Sequence, residues 1–163
     1  VLYFAADDGT NGSELWKYDG VNPPSLADDI LAGSAGSYPS DFTVYDGKLY
    51  FEADDGVDGD ELWVFDGTTA SQVADIRAGS GDSYPSELTV YDGKLYFEAD
   101  DGYFGDELWA FDGSSVNLVS GDLNLSVEDD LGAIGYTDEY LAVDAETAGF
   151  GEELWIYNPD GWV

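Results

Sequence analysis

Apolar and polar residues alternate in short runs along this chain, and no window carries a helical period over three turns. In the segments LYFEA at 49–53 and 95–99, Leu, Phe and Ala point to one face while Tyr points to the other. In 62–65, Leu62 and Val64 oppose Trp63 and Phe65. Strands apolar on both faces need cover on both faces, which stacked sheets supply. The runs FTVY and KLYFEA flank Asp46-Gly47, and LTVY and KLYFEA flank Asp92-Gly93. An Asp-Gly pair between two strand-forming runs predicts a two-residue hairpin, because both turn positions need positive φ. An acidic, Gly-rich DDGxxGxE loop comes next. A third strand, ELWxF/Y, then ends at Asp19-Gly20, Asp66-Gly67 and Asp112-Gly113. A fourth strand is predicted at Leu26–Ile30, Gln72–Ile76 and Val116–Val119. The fold class is all-β.

These runs recur. Glu-Leu-Trp stands at 14–16, 61–63, 107–109 and 153–155, so that successive Trp residues lie 47, 46 and 46 positions apart. A second block, AGSxxSYPSxxTVYDGK, occupies 32–48 and 78–94, and LAVDAETAGFGEELW at 141–155 is a degenerate fourth copy. Four antiparallel strands in about 46 residues match the blade of a β-propeller. The expectation is a single repeat domain, 1–163, with units near 1–31, 32–77, 78–123 and 124–163. It would form a propeller-like array of about 3.5 to 4 blades and about 14 strands. With the strands of a unit labelled a to d, the order is bcd, abcd, abcd, abc, leaving an a strand missing at the front and a d strand at the back. Exposed edges of that kind invite strand addition. Three readings stay open: a small ring with trimmed end blades, a piece of a larger propeller, or a subunit whose edges pair with a neighbour. With no Met, the chain reads as a processed form or a segment of something longer.

The signature copies GSELWKYDG (12–20), GDELWVFDG (59–67), GDELWAFDG (105–113) and GEELWIYN (151–158) resemble the bacterial ELWxxDGT repeat family, also termed hyalin-like. The final Thr of that signature survives as Thr68; Val21 and Ser114 stand in its place elsewhere, and the fourth copy lacks the Asp-Gly. The resemblance implies a propeller-like fold in large secreted or surface-exposed bacterial proteins, hence an extracellular or cell-surface location. It implies no activity and brings no catalytic residues. The blade pattern is also loosely similar to kelch repeats.

Composition sets the function classes. Against 36 Asp and Glu stand 4 Lys and Arg, a net charge of −32. Such a surface repels phosphate backbones and anionic lipid, which excludes nucleic-acid binding and electrostatic membrane docking. The 44% hydrophobic and 15% aromatic content separates it from a disordered acidic chain. With no Cys and no His, disulfides, thiolate or imidazole metal sites, thiol nucleophiles and Ser-His-Asp triads are excluded. The longest apolar run, Val1–Ala6, is far shorter than a membrane span.

The remaining chemistry is carboxylate chemistry. Asp7, Asp8 and Glu14; Asp54, Asp55, Asp58, Asp60 and Glu61; and Asp100, Asp101, Asp106 and Glu107 gather around glycines in the b–c loops. Calcium takes six to eight oxygens from such loops, and the 54–61 loop offers the most ligands. The alternative is a solvated acidic surface in which the first Asp and the Glu brace the turn. Glu14, Glu61, Glu107 and Glu153 are expected to accept backbone N–H bonds that close their loops, since equivalent carboxylates do not supply the asymmetric pair a glycosidase needs. The repeat Trp residues are expected in the core rather than on a sugar platform; Trp162, outside the repeat, is either a docking residue or part of a frayed tail. SYPS at 37–40 and 83–86 reads as an entry into the a strand and is absent at 129–132. Arg77, the only Arg, is expected to pair within acidic surroundings. Three functions compete. The first is a non-catalytic extracellular module for adhesion or assembly, partnered by copies of itself or adjacent domains; the others are a glycan-binding propeller and an Asp/Glu-dependent polysaccharide-degrading enzyme.

Overall fold

A computed structural model describes residues 1–103, 105–119, 131–137, 140–147, 151–158 and 161–162. No described residue is helical. Among the described residues, fifteen strands form four antiparallel sheets. Sheet one holds β1 (Leu2–Asp7), β2 (Ser13–Tyr18) and β3 (Ser25–Asp28); sheet two holds β4 (Ser40–Tyr45), β5 (Lys48–Asp54), β6 (Asp60–Phe65) and β7 (Ala70–Ala74). Sheet three comprises β8 (Ser86–Tyr91), β9 (Lys94–Asp100), β10 (Asp106–Phe111) and β11 (Val116–Leu118). Sheet four comprises β12 (Leu131–Tyr136), β13 (Leu141–Thr147), β14 (Gly151–Asn158) and β15 (Gly161–Trp162). In every sheet the spatial order follows the chain, as hairpin-joined meanders require. The chain divides into two compact units, Val1–Tyr84 and Pro85–Val163, each carrying two sheets.

The hairpins form where Asp-Gly predicts them. Asp46 and Gly47 have φ of 46° and 76°, and Asp92 and Gly93 have 44° and 75°, so both central residues of each turn are left-handed. The turns at Asp19, Asp66 and Asp112 work differently: each carboxylate accepts the backbone N–H of the residues two and three positions on. The residue after Asp-Gly donates its backbone N–H in all three turns, which is why Val21 serves in place of Thr68; Ser114 adds its hydroxyl, 2.8 Å from Asp112.

Two details depart from the sequence reading. The fourth unit carries a d strand after all, since Gly161–Trp162 pairs with Asn158 and Tyr157. And the d strands of the first two units stop at Asp28 and Ala74, short of Ile30 and Ile76, because those two amides are turned to another acceptor described below. The degenerate stretch 117–139 lies outside the described residues at 120–130 and 138–139.

Within the first unit, Leu15 of sheet one joins Leu49, Phe51, Ala53, Trp63 and Phe65 of sheet two in one core, with Tyr3 edge-on to Phe65 at 5.5 Å. Within the second, Tyr91, Tyr96, Leu108 and Ala110 of sheet three pack with Ile134, Leu141 and Val143 of sheet four. Of the repeat Trp residues, Trp63 is buried in the first core and half-buried Trp155 packs against the second, while Trp16 and Trp109 are half-buried on the strand faces opposite the core residues Leu15 and Leu108. Trp109 Nε1 donates to the Ala99 carbonyl at 3.0 Å.

Candidate functional site

Glu14, Glu61 and Glu107 open the second half of each b–c hairpin as residues of β2, β6 and β10, and all three are buried. Glu14 and Glu61 do not close their own loops. Glu61 Oε2 accepts the Ile76 N–H at 2.9 Å and the Ser83 hydroxyl at 2.7 Å, and its Oε1 accepts the Arg77 N–H at 3.1 Å. Glu14 is held the same way, by the Ile30 N–H at 2.9 Å, the Ser37 N–H at 3.0 Å and the Ser37 hydroxyl at 2.6 Å. The carboxylate of one repeat therefore fastens the d strand exit of that repeat to the SYPS serine that opens the next. This corrects the expectation of a local turn brace. Burial places the Glu61 carboxyl above its ordinary range, opposed by the N–H of Ile76, the Ser83 hydroxyl and the N–H of Arg77.

Backbone approach explains the glycine two positions before each Glu. A Cβ on Gly12 (φ +74°) would stand 2.3 Å from the Ala35 carbonyl oxygen, and one on Gly59 (φ +78°) 2.6 Å from that of Gly81. The Gly-rich AGS segment crosses directly over the start of β2 and β6, and only residues without a side chain admit it. Ser37, Ser83, Gly36 and Gly81 are thus working parts of the repeat that sequence reasoning treated as strand entry and loop. Their signal was present in the joint recurrence of the GxE and AGSxxS blocks, with 23 residues from Glu14 to Ser37 and 22 from Glu61 to Ser83.

The second serine of SYPS makes a parallel pair. Ser40 donates to Glu52, and Ser86 donates to Glu98 at 3.2 Å, each across the a–b hairpin. Burial raises the Glu52 carboxyl, with the Ser40 hydroxyl opposing and Asp60, Asp41 and Asp82 adding to the rise.

The aspartates of the b–c loops turn back on their own backbone. Asp7, Asp54 and Asp100 accept from Gly9, Gly56 and Gly102; Asp8 accepts from Thr10 and Asn11, Asp55 from Val57 and Asp58, and Asp101 from Tyr103. Asp60 lies opposite Asp54 and Asp106 opposite Asp100 across the hairpins. Burial, then Asp82 and Asp54, raises the Asp60 carboxyl; burial, then Asp101 and Asp100, raises that of Glu107. Among the described residues, no three carboxylates converge to hold a metal ion, and the Glu of each described loop faces away into the interior. Arg77 donates from Nη1 to the Asp82 carbonyl at 3.3 Å. The side chains of Glu153 and Trp162 lie outside the described residues.

The exposed aromatic side chains are elsewhere. Tyr38 and Tyr84, the SYPS tyrosines, are 68% and 53% exposed and left-handed at φ 48° and 47°. Their amides are tied to the b–c hairpins, Tyr38 N to Ser13 O at 3.1 Å and Tyr84 N to Asp60 O at 3.3 Å. The Tyr84 hydroxyl donates to Asp82 at 2.9 Å, which raises its pKa. Among the described residues no helix is long and apolar enough to cross a membrane. Compared with known proteins, the chain matches no family profile, no curated sequence and no solved structure.

Proposed function

We propose that this chain is a non-catalytic repeat module serving adhesion or structural assembly at the cell exterior, its sheets acting as the blades of a propeller-like array. The observation that carries this reading is the clamp: the motif carboxylates that would have to act as acid and base, Glu14 and Glu61, are buried and each accepts three hydrogen bonds from the next stretch of chain. A carboxylate so engaged holds backbone together and has no path to a substrate. The 46- to 47-residue period and the four meandering sheets support the blade arrangement. Kinship with the ELWxxDGT repeats rests on the four signature copies alone. The extreme acidity suits a salty exterior, and the partners are adjacent sequence or further copies. A panel of neutral and acidic polysaccharides incubated with the chain tests the reading: no release of reducing ends is expected. Turnover that Glu61→Gln abolishes without unfolding the protein would overturn it.

A glycan-binding reading is favoured by one separate observation. Tyr38 and Tyr84 hold a left-handed backbone that Gly or Asn adopts more cheaply, and neither ring is needed for packing. Tyrosine faces beside carboxylate acceptors are suited to stacking on neutral sugars. A glycan array in which binding disappears in the double variant Tyr38→Ala, Tyr84→Ala would establish it; identical profiles would remove it.

A further inference from the structure

Among the described residues, the sheet edges are not equivalent. The d strands β3, β7, β11 and β15 are short, and the a strands β4, β8 and β12 are each interrupted by a register shift. Both devices discourage pairing with another strand. Strand β1 has neither. It runs six residues in unbroken register against β2 and no strand pairs with its other side.

Its repeat equivalents show what belongs there. LYFAAD of β1 matches LYFEAD of β5 and β9, and those strands carry β4 and β8 on the side that β1 leaves open. Leu49 and Leu95 are 7% and 0% exposed; Leu2, at the same place in the repeat, is 61% exposed. One position differs in kind. Glu52 and Glu98 take a serine hydroxyl from the covering strand, whereas β1 has Ala5 there.

We propose that the outer edge of β1 receives an a-type strand, with a small apolar residue in place of its serine. The proposal uses the repeat-module reading only to place β1 as a b strand. Copying the β4–β5 register puts the incoming Tyr opposite Val1, Val opposite Leu2, Thr opposite Tyr3 and the former serine position opposite Ala5. A half-buried serine hydroxyl at that last position would lose its carboxylate partner, since Ala5 offers none, so alanine is preferred. A second copy pairing β1 to β1 is the weaker occupant, because it brings together two bodies each of net charge −32.

The test uses a labelled peptide of residues 36–46, both as it stands and with Ser40→Ala, added to the full chain. Anisotropy and amide hydrogen exchange are the readouts. Saturable binding is expected, with slowed exchange confined to Val1–Asp7. The Ser40→Ala peptide should bind roughly fivefold or more tightly than the serine peptide. The order should reverse in the Ala5→Glu protein, where the new carboxylate requires the hydroxyl. Leu2→Lys, at an exposed position, should abolish binding. Protection at β3 or β7 instead of β1, or equal affinity for both peptides in both proteins, would overturn the proposal. So would β1 protection that arises without peptide, by self-association. None of these outcomes bears on polysaccharide turnover, so the module reading stands or falls separately.

Discussion

Removing the Glu61 clamp is the perturbation whose cost the structure defines best. Glu61→Ala leaves the part-buried amides of Ile76 and Arg77 without their carboxylate acceptor and reduces the Ser83 hydroxyl to its 3.1 Å bond with the Asp60 carbonyl. Unsatisfied buried groups cost about 1–3 kcal/mol each, and breaking a buried charged network costs about 3–5 kcal/mol in all. Relief of the carboxylate's own burial penalty, visible as its raised pKa, offsets part of this. A net loss of about 4 kcal/mol is expected for Glu61→Ala. Glu61→Gln keeps an oxygen but turns an amide N–H₂ toward a donor, at about 2 kcal/mol, and Ser83→Ala removes one charge-assisted bond and the bond to the Asp60 carbonyl, at about 1.5 kcal/mol in all. Urea unfolding followed by tryptophan fluorescence gives all three on one scale, with exposed Asp29→Asn as a control within about 0.5 kcal/mol of the parent. The ranking Ala, then Gln, then Ser83→Ala follows from the bond count. A Glu61→Ala protein within about 0.5 kcal/mol of the parent would refute the clamp as a structural element.

Acidity should stabilise the fold before it destabilises it. Glu52, Asp60, Glu61 and Glu107 have raised carboxyls, so the folded chain binds their protons more readily than the unfolded chain. Their contribution is complete below the ordinary carboxylate range and lost as pH rises through the folded values, so melting temperature should climb from pH 7 to about 5. Asp19, held down to about 2 by the Asn22 side chain and the N–H groups of Val21 and Asn22, works oppositely, as does Asp112, also at about 2, through Ser114 and Ser115. Their contribution is lost only as pH falls from the ordinary Asp value toward 2, and a monotonic fall in melting temperature from pH 7 to 4 would contradict this balance. Calcium and magnesium at matched ionic strength should give the same melting midpoint, since the loop aspartates cap their own backbone; a rise specific to calcium would show that the loops rearrange around it. Gly59→Ala should cost about 3 kcal/mol, from a left-handed backbone plus a 2.6 Å approach to Gly81, whereas Gly20→Ala, left-handed but with nothing within 4 Å, should cost about 1 kcal/mol. Thermal melts of the two variants measure the difference directly.

The local pattern alone settled the strands and most turns. Alternation along LYFEA and ELW, and Asp-Gly between strand-forming runs, are set by neighbouring residues, so the hairpins at Asp46-Gly47 and Asp92-Gly93 were legible without any tertiary information. The period in the ELW copies likewise announced the repeated sheets, and the core positions of Trp63 and Trp155. What the sequence left open were interactions across 15 to 23 residues. Glu61 next to Asp60 reads as one more loop carboxylate; only the crossing of the AGS segment over Gly59, which brings Ser83 and the Ile76 amide to its oxygens, turns it inward and makes it a clamp. The same crossing ends the d strands early, since Ile30 and Ile76 give their N–H to a carboxylate instead of a neighbouring strand. Two-residue β15 was invisible because strand propensity over Gly161-Trp162 is negligible, and it exists through pairing with Tyr157 and Asn158. The calcium expectation followed from composition, which counts carboxylates; composition does not say where each one points. Asp54 and Asp55 accept backbone amides two to three residues on, and Glu14, Glu61 and Glu107 are buried.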